Sequence, residues 1–211
     1  LAQKLRVQVL AHAMVLLSQG TPYLHAGGEL LRSKSLDRNS YDSGDRFNGL
    51  DWDGTRHGFG QGLPPAPDNE DSWPVMAPLL ADARLQVPPA LVRQATARVQ
   101  DWLAVRRELP LLRLASREAV ARQLQVLPLQ GELGAQVLAA VLRDDSGQPA
   151  ALLVLNASGQ SQRLPWPRDV GQLNWRLHPR LAGGADQTVQ RQAKWLRNAD
   201  GAVLQVPGLT A

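Results

Sequence analysis

Residues 3–18 carry apolar side chains at near-helical spacing: Leu5, Val9, Met14 and Leu17, with Val7, Leu10, Ala13 and Leu16 filling in. That period predicts an amphipathic helix, and Gly20 is its expected stop. Thr21–Ala26 (TPYLHA) follows as a short apolar run between glycines, read as a buried strand with Pro22 at its start. Helix, tight turn and buried strand make an α/β opening. A polar segment of about 45 residues comes next, from Gly27 to Trp73. Connections beyond roughly 12–15 residues are uncommon in compact domains unless functional or disordered. Leu31, Tyr41, Phe47, Leu50, Trp52, Phe59 and Trp73 can anchor it, so it reads as ordered. Short helical turns are expected at Gly28–Glu29 and over Pro74–Ala83.

Pro88–Pro89 opens the clearest helix, running to about Leu109, since proline suits a first helical turn. Leu91, Ala95, Val99, Trp102 and Leu103 form its predicted inner stripe; Arg98, Asp101 and Arg106 are expected to face out. Trp102 reads as a core residue. After Pro110 the texture becomes that of short strands: Val120–Val126, Val137–Leu142, Ala151–Leu155, QRLPW, NWRLH, AKWLR and AVLQV. Asp144–Gln148 (DDSGQ) and Asp200-Gly201 are turn signals. Such spacing suggests an antiparallel sandwich, with the domain boundary near Leu114: 1–114 before it and 115–211 after.

Composition narrows the chemistry. The 211 residues contain no cysteine, which removes disulfides, thiolate metal sites and cysteine nucleophiles. No run approaches the ~20 apolar residues of a membrane span. Net charge is +4, yet Gly27–Trp73 holds nine acidic and five basic residues, so the excess of Arg lies elsewhere. Those Arg residues are scattered and not interleaved with aromatics, which argues against nucleic acid. The absence of an initiator Met leads us to expect that the chain begins inside a longer protein.

No nucleophilic-serine, phosphate-cradling or zinc motif is present. His25, His57 and His178 lack ligand spacing, and His25 reads as a satisfied core histidine. Asp51-Trp52-Asp53-Gly54 is only a fragment of a calcium loop, and Asn156-Ala157-Ser158 matches a glycosylation acceptor. The polar segment is richer. Asp37, Arg38, Asn39, Asp42, Asp45 and Asn48 alternate with Tyr41, Phe47 and Trp52. Carboxylates, amides and Arg forks can match vicinal hydroxyls of a sugar, with aromatic faces against its C–H surface. The same residues could instead bond to one another as a self-supporting loop, and their spacing leaves both readings open.

The stretch GTPYLHAGGE, Gly20–Glu29, resembles the last barrel strand of the α-amylase superfamily. ELLRSKSLDRNSYDSGDRFN, GLPPAPDNEDSWP and RRELPLLRL, running on from Glu29 to Leu114, resemble the type I pullulanases, bacterial α-1,6-glucosidases. The resemblance implies the last part of a (β/α)₈ barrel, with residues 3–18 as its seventh helix, 21–26 as its eighth strand and 89–109 as its eighth helix. Residues 115–211 would form a C-terminal antiparallel β-sandwich, lacking its final strand. The polar segment would then be the loop after strand eight, on the active-site face of the barrel.

The family is retaining, and its three catalytic carboxylates lie after the fourth, fifth and seventh strands. All would precede residue 1. The expected catalytic set in this chain is therefore empty, Glu29 merely organises the strand end, and the isolated chain should be inactive and expose apolar faces of 3–26 and 89–109. Arg38, Asn39 and Asp42, with Tyr41, are the expected contacts to an α-glucan, while loop packing is the favoured role for Tyr41 and Trp52. Arg46 stands where the family commonly has Trp, and Asn39 where some relatives have Asp. The resemblance implies no cofactor for the chemistry, allows a structural calcium in the complete protein, and favours an extracellular, surface or periplasmic setting over the cytoplasm.

Overall fold

The structure is a computed structural model and describes residues 1–198 and 201–211. The Asp200-Gly201 turn signal therefore includes a position outside the described residues. The chain forms two compact units, Leu1–Leu5 with His25–Thr96, and Arg6–Leu24 with Ala97–Ala211.

Helix α1 spans Ala2–Leu17 and contains neither Gly nor Pro, as helix propensity requires. Gly20, at φ 85°, ends the run in a conformation that favours glycine. Leu5, Val9, Ala13, Leu16 and Leu17 are buried, and so is His12, which the apolar pattern did not single out. Met14, expected in the stripe, is exposed. At 100° per residue it lies about 140° round the helix from Val9. Thr21–Ala26 is not a strand but irregular chain, with Tyr23 87% exposed and Leu24 and His25 also in solvent. A strand exists by pairing its backbone with a neighbour. Among the described residues this segment has none, so the expected core histidine is a surface one.

In the first unit the polar segment contains only single turns: 3₁₀ turns at Gly28–Leu30 and Ser40–Asp42, and helix α2 over Asp45–Asn48. A 3₁₀ turn at Glu70–Ser72 leads into helix α3, Trp73–Ala81. Leu31, Ser35 and Leu36 hold positive φ, a region costly for residues with a Cβ. Gly58 is required by close approach, because a Cβ there would overlap the Ser33 carbonyl. Among the aromatic anchors expected in this segment, Phe47 is buried and Phe59 and Trp73 are half-buried, but Tyr41 and Trp52 stand in solvent.

Helix α4 runs from Pro89 to Glu108. Val92, Ala95, Val99, Trp102 and Val105 are its buried apolar side chains. Leu103 is 45% exposed, and Arg98 and Arg106, expected outside, are each only 7% exposed. For Arg106, partners make that burial tolerable. Arg106 donates to the carbonyls of Leu16, Ser18 and Gly20. Arg98 Nη1 lies 3.7 Å from Asp186 Oδ2, within charge attraction but beyond a hydrogen bond, and its Nε is buried without a partner among the described residues.

Beyond α4, in the second unit, Val120 belongs to helix α5, Arg117–Gln123, rather than to a strand. Ser116 caps that helix by accepting the Ala119 N–H at 3.1 Å. Strand β1 is thus only Leu124–Val126. It pairs antiparallel with β2, Val137–Arg143, which pairs with β3, Pro149–Asn156. The β2–β3 turn is set by Asp144, whose Oδ1 accepts from the amides of Ser146 and Gln148, both at 2.9 Å. A second sheet has the order β4-β6-β5, formed by Gln162–Pro165, Gly201–Val206 and Lys194–Asn198. Leu204 on the central strand faces Leu164 on one side and Trp195 on the other. NWRLH is irregular chain without a partner strand among the described residues.

The two sheets share one core. Val137, Ala139, Val141 and Val154 of the first pack with Leu164 and Val206 of the second, together with Leu127, Trp166 and Val170. Asn156, the glycosylation-type residue, is 0% exposed. Its Nδ2 donates to the carbonyls of Gln160 (2.9 Å), Pro207 (3.0 Å) and Val206 (3.3 Å). The folded chain therefore cannot offer this asparagine to a glycan.

Candidate functional site

The polar segment is organised around Asn69, which is 2% exposed. Its Oδ1 accepts the Arg38 N–H at 3.0 Å. Its Nδ2 donates to Asp37 Oδ1 (3.0 Å) and to the carbonyls of Pro65 (2.9 Å) and Pro67 (3.1 Å). One buried amide thus uses both its acceptor and its donors and ties the Asp37–Arg38 backbone to the proline-rich stretch. Burial pushes the Asp37 carboxyl up, but the Ser43 hydroxyl, the Asn69 amide, the Asn39 N–H and the Lys34 charge together hold it below its ordinary value.

A second anchor is Ser40, buried at the start of a 3₁₀ turn. Asn48 Nδ2 donates to its carbonyl at 2.6 Å, and Lys34 Nζ donates to its hydroxyl. Ser35, fully buried, donates to the Gly62 carbonyl at 2.9 Å. His57 Nδ1 accepts the Phe59 N–H at 3.1 Å, so the ring proton sits on Nε2, which donates to the Leu31 carbonyl at 2.6 Å.

These anchors present the sequence-predicted residues outward. Arg38, Asn39, Tyr41 and Asp42 all lie on the exposed side of one short stretch, with Tyr41 97% exposed. Arg38 Nη1 donates to Ser72 Oγ at 3.4 Å, and Asn39 Nδ2 to Asp68 Oδ2 at 3.0 Å. Arg38 and Asn39 line an open groove with Ala66, Asp68, Asn69, Glu70 and Asp71. Tyr41 and Asp42 stand beside them on the 3₁₀ turn. The surface offers a guanidinium, an amide, carboxylates and an aromatic face, groups suited to a neutral polyhydroxylated ligand.

Other expectations resolve differently. Asp53 Oδ1 accepts the Thr55 amide (2.9 Å) and hydroxyl (2.7 Å), and Asp51 Oδ2 accepts the Arg56 amide. These carboxylates close a turn on themselves. Among the described residues, His, Asp and Glu side chains nowhere gather in a group of three or more that could hold a metal. Glu29 lies half-buried in its 3₁₀ turn, its carbonyl accepting the Thr96 hydroxyl at 3.1 Å. Arg46 donates to the Gln61 carbonyl and sits over the Phe47 ring, 6.0 Å from its centroid.

Residues 54–211 match the family described as alpha-1,6-glucosidases, pullulanase-type, C-terminal. The chain belongs to the pullulanase-type family. It is 32% identical over 200 residues to the chloroplastic pullulanase 1 of Arabidopsis thaliana, covering 90% of this chain and 21% of that protein. It is 30% identical over 172 residues to the pullulanase of Klebsiella pneumoniae, covering 78% of this chain and 16% of that one. The apo crystal structure of Klebsiella pneumoniae pullulanase superposes over 100% of this chain and 23% of its own, with a TM-score of 0.83 and 26% identity. A complex of that pullulanase with maltotriose gives 0.81 over 100% of this chain and 20% of its own, at 26% identity. The chain thus spans about a fifth of the length of the relatives it matches.

Within this pullulanase-type chain, sequence reasoning had found the outward residues and missed those that hold them. Asn69 and Ser40 act across 31 and 8 residues of chain respectively. The one available signal was the Asp-Asn pair ahead of a helix, which suggests a turn or cap. Nothing local indicated that the amide would reach Arg38.

Proposed function

We propose that this chain is the C-terminal part of a debranching enzyme that hydrolyses α-1,6-glucosidic bonds in pullulan, amylopectin or limit dextrins. In that reading residues 1–114 complete a (β/α)₈ barrel and 115–211 form its C-terminal β-sandwich. Thr21–Ala26 would become the eighth strand once a neighbouring strand supplies hydrogen bonds. The loop after it would form one wall of the glucan cleft.

The observation that carries the proposal is the joint outward presentation of Arg38, Asn39, Tyr41 and Asp42 on a stretch fixed from beneath by Asn69 and Ser40. Arg38 and Asn39 would bond glucosyl hydroxyls, Asp42 would accept from a further hydroxyl, and the Tyr41 ring would pack on a sugar face. A preorganised surface of this kind spends little ordering entropy on binding. The relative solved with maltotriose supports the ligand class.

The chemistry is the retaining mechanism, with one carboxylate as nucleophile and another carboxyl as general acid and base. Those groups belong to parts of the enzyme that this chain does not span. The chain's role is to bind and orient the glucan, and alone it is inactive. No cofactor takes part in the hydrolysis; a calcium ion in the complete enzyme would be structural.

The test is product analysis of the complete enzyme on pullulan. Maltotriose as the sole end product supports the reading. Release of other oligosaccharides points to a related isoamylase or glycogen debrancher. Micromolar maltotriose binding by the 211-residue chain, with no hydrolysis by the complete protein, would replace it with a non-catalytic glucan-binding module.

A further inference from the structure

Strand β3 is an edge of its sheet: β2 pairs with one side of it, and among the described residues no strand pairs with the other. One end of that open side is nonetheless taken. Asn156 and Thr210 exchange both of their backbone hydrogen bonds, at 2.7 and 3.1 Å, as an isolated antiparallel bridge. Along an antiparallel strand the bonds to one neighbour fall on every second residue. The next backbone groups aimed out from this edge are therefore those of Val154, Leu152 and Ala150. An unpaired edge of this kind is a template for a further strand.

Beside the edge lies a cavity walled by residues 150–154 of β3, by β5 and β6, by the end of α4 and by Ala211. Leu152, on one face of β3, packs with Trp175, Trp195 and Leu204 in the core between the two sheets, and all four line the cavity. Leu153 lies on the opposite face, since strand side chains alternate. It lines the cavity too, as do Leu142 and, from α4, Val105 and Leu109. An extended segment laid along this edge would thus meet apolar side chains with both of its faces. Strands buried on both faces read as unbroken apolar runs rather than as alternation.

We infer that the open edge of β3 receives a wholly apolar extended segment of about five residues, an ordinary strand length, which leads on from Ala211 in the complete protein. Direction supports that source. The chain at Thr210 already runs antiparallel to β3, and Ala211 stands on the cavity wall. Continuing that register, the first, third and fifth residues of the segment exchange hydrogen bonds with Val154, Leu152 and Ala150. The inference rests on the reading that these 211 residues are part of a longer enzyme, and not on the glucan site.

The experiment is amide hydrogen exchange, read residue by residue by NMR, on the 211-residue chain and on the same chain extended after Ala211 by Val-Val-Ile-Val-Val. The extension is expected to slow exchange at Leu152 and Val154 at least about tenfold. Pro at its third residue, whose N–H must reach the Leu152 carbonyl, should abolish that protection. Pro at its second residue, whose N–H faces away from β3, should keep it. In the complete protein the same two amides should be as protected as in the extended chain. No slowing by the extension, equal loss from the two Pro positions, or unprotected amides in the complete protein would each overturn the inference. So would protection in the 211-residue chain that rises with its own concentration, because a second copy would then hold the edge. The products that the complete enzyme releases from pullulan report separately on the glucan reading.

Discussion

Arg106 reaches back across 90 residues to the carbonyl of Leu16, donating through Nη1 at 2.7 Å. The same guanidinium donates to Ser18 at 2.8 Å and Gly20 at 2.5 Å. The last carbonyls of a helix have no partner within it, and the negative end of its dipole favours a cation. One buried side chain therefore finishes α1 and fixes where the chain turns away. Arg106→Met should lose about 3 kcal/mol, because it leaves buried carbonyls unpaired. Arg106→Lys should recover only part of that, since an ammonium lacks the planar fork. Urea unfolding followed by circular dichroism checks this, and a midpoint equal to the parent's in Arg106→Met would refute the capping role.

Asn156 fastens the end of the chain. Besides its side-chain bonds, its backbone amide donates to the Thr210 carbonyl at 2.7 Å and its carbonyl accepts the Thr210 amide at 3.1 Å. Ser158 Oγ donates to Asn156 Oδ1 at 2.7 Å. Asn156→Ala should cost about 3 kcal/mol and Ser158→Ala about 1–2 kcal/mol. Expressed through a glycosylating secretory host, the folded product should show no glycan mass. A glycan found on Asn156 in folded protein would contradict the buried clamp.

Asp37 predicts a pH dependence for the stretch 37–42. Its carboxyl is held below the ordinary 3.8 by its hydrogen bonds. A lowered folded-state pKa stabilises the fold above the unfolded value, and the contribution fades as pH falls through the folded value. Asp37→Asn should therefore be less stable than the parent at about pH 5, with the difference shrinking toward about pH 2. Melting temperatures of both proteins across that range decide it. A gap that stays constant would mean that Asp37 acts without its charge.

Asn39→Asp places a carboxylate where the Asn39 amide now donates to Asp68 Oδ2 at 3.0 Å. A hydrogen bond becomes a like-charge contact. The expected result is local loosening, read as faster amide exchange over residues 37–42. Unchanged exchange rates would mean that Asp68 moves aside freely.

Asp42→Ala tests the proposed cleft in the complete enzyme. Loss of one charged hydrogen bond to a sugar hydroxyl should lower kcat/KM on pullulan about tenfold, with stability unchanged because Asp42 is exposed. Parent-like kinetics in a normally stable variant would remove Asp42 from the glucan site.

The residue pattern alone located most of the secondary structure after Trp73 and both long helices, because helix and strand periods are local properties. It also marked the polar segment as too long for a turn, while the choice of Arg38, Asn39, Tyr41 and Asp42 within it came from the resemblance to the type I pullulanases. What it could not decide were choices made between distant residues. Helical spacing put Arg98 and Arg106 on the outer face; three carbonyls at the end of α1 take the buried Arg106 guanidinium, and Arg98 is buried within 3.7 Å of Asp186. Apolar composition read Thr21–Ala26 as a strand, but a strand requires a neighbour's hydrogen bonds. Asn156 matches a glycosylation motif, but nothing in three residues shows that the carbonyls of Val206 and Pro207 hold it inside. The sequence by itself determined which segments can be helical, extended or polar. Only the tertiary structure decided which polar groups find partners, because the partners of Arg106, Asn69 and Asn156 come from distant parts of the chain and burying a polar group without one is costly.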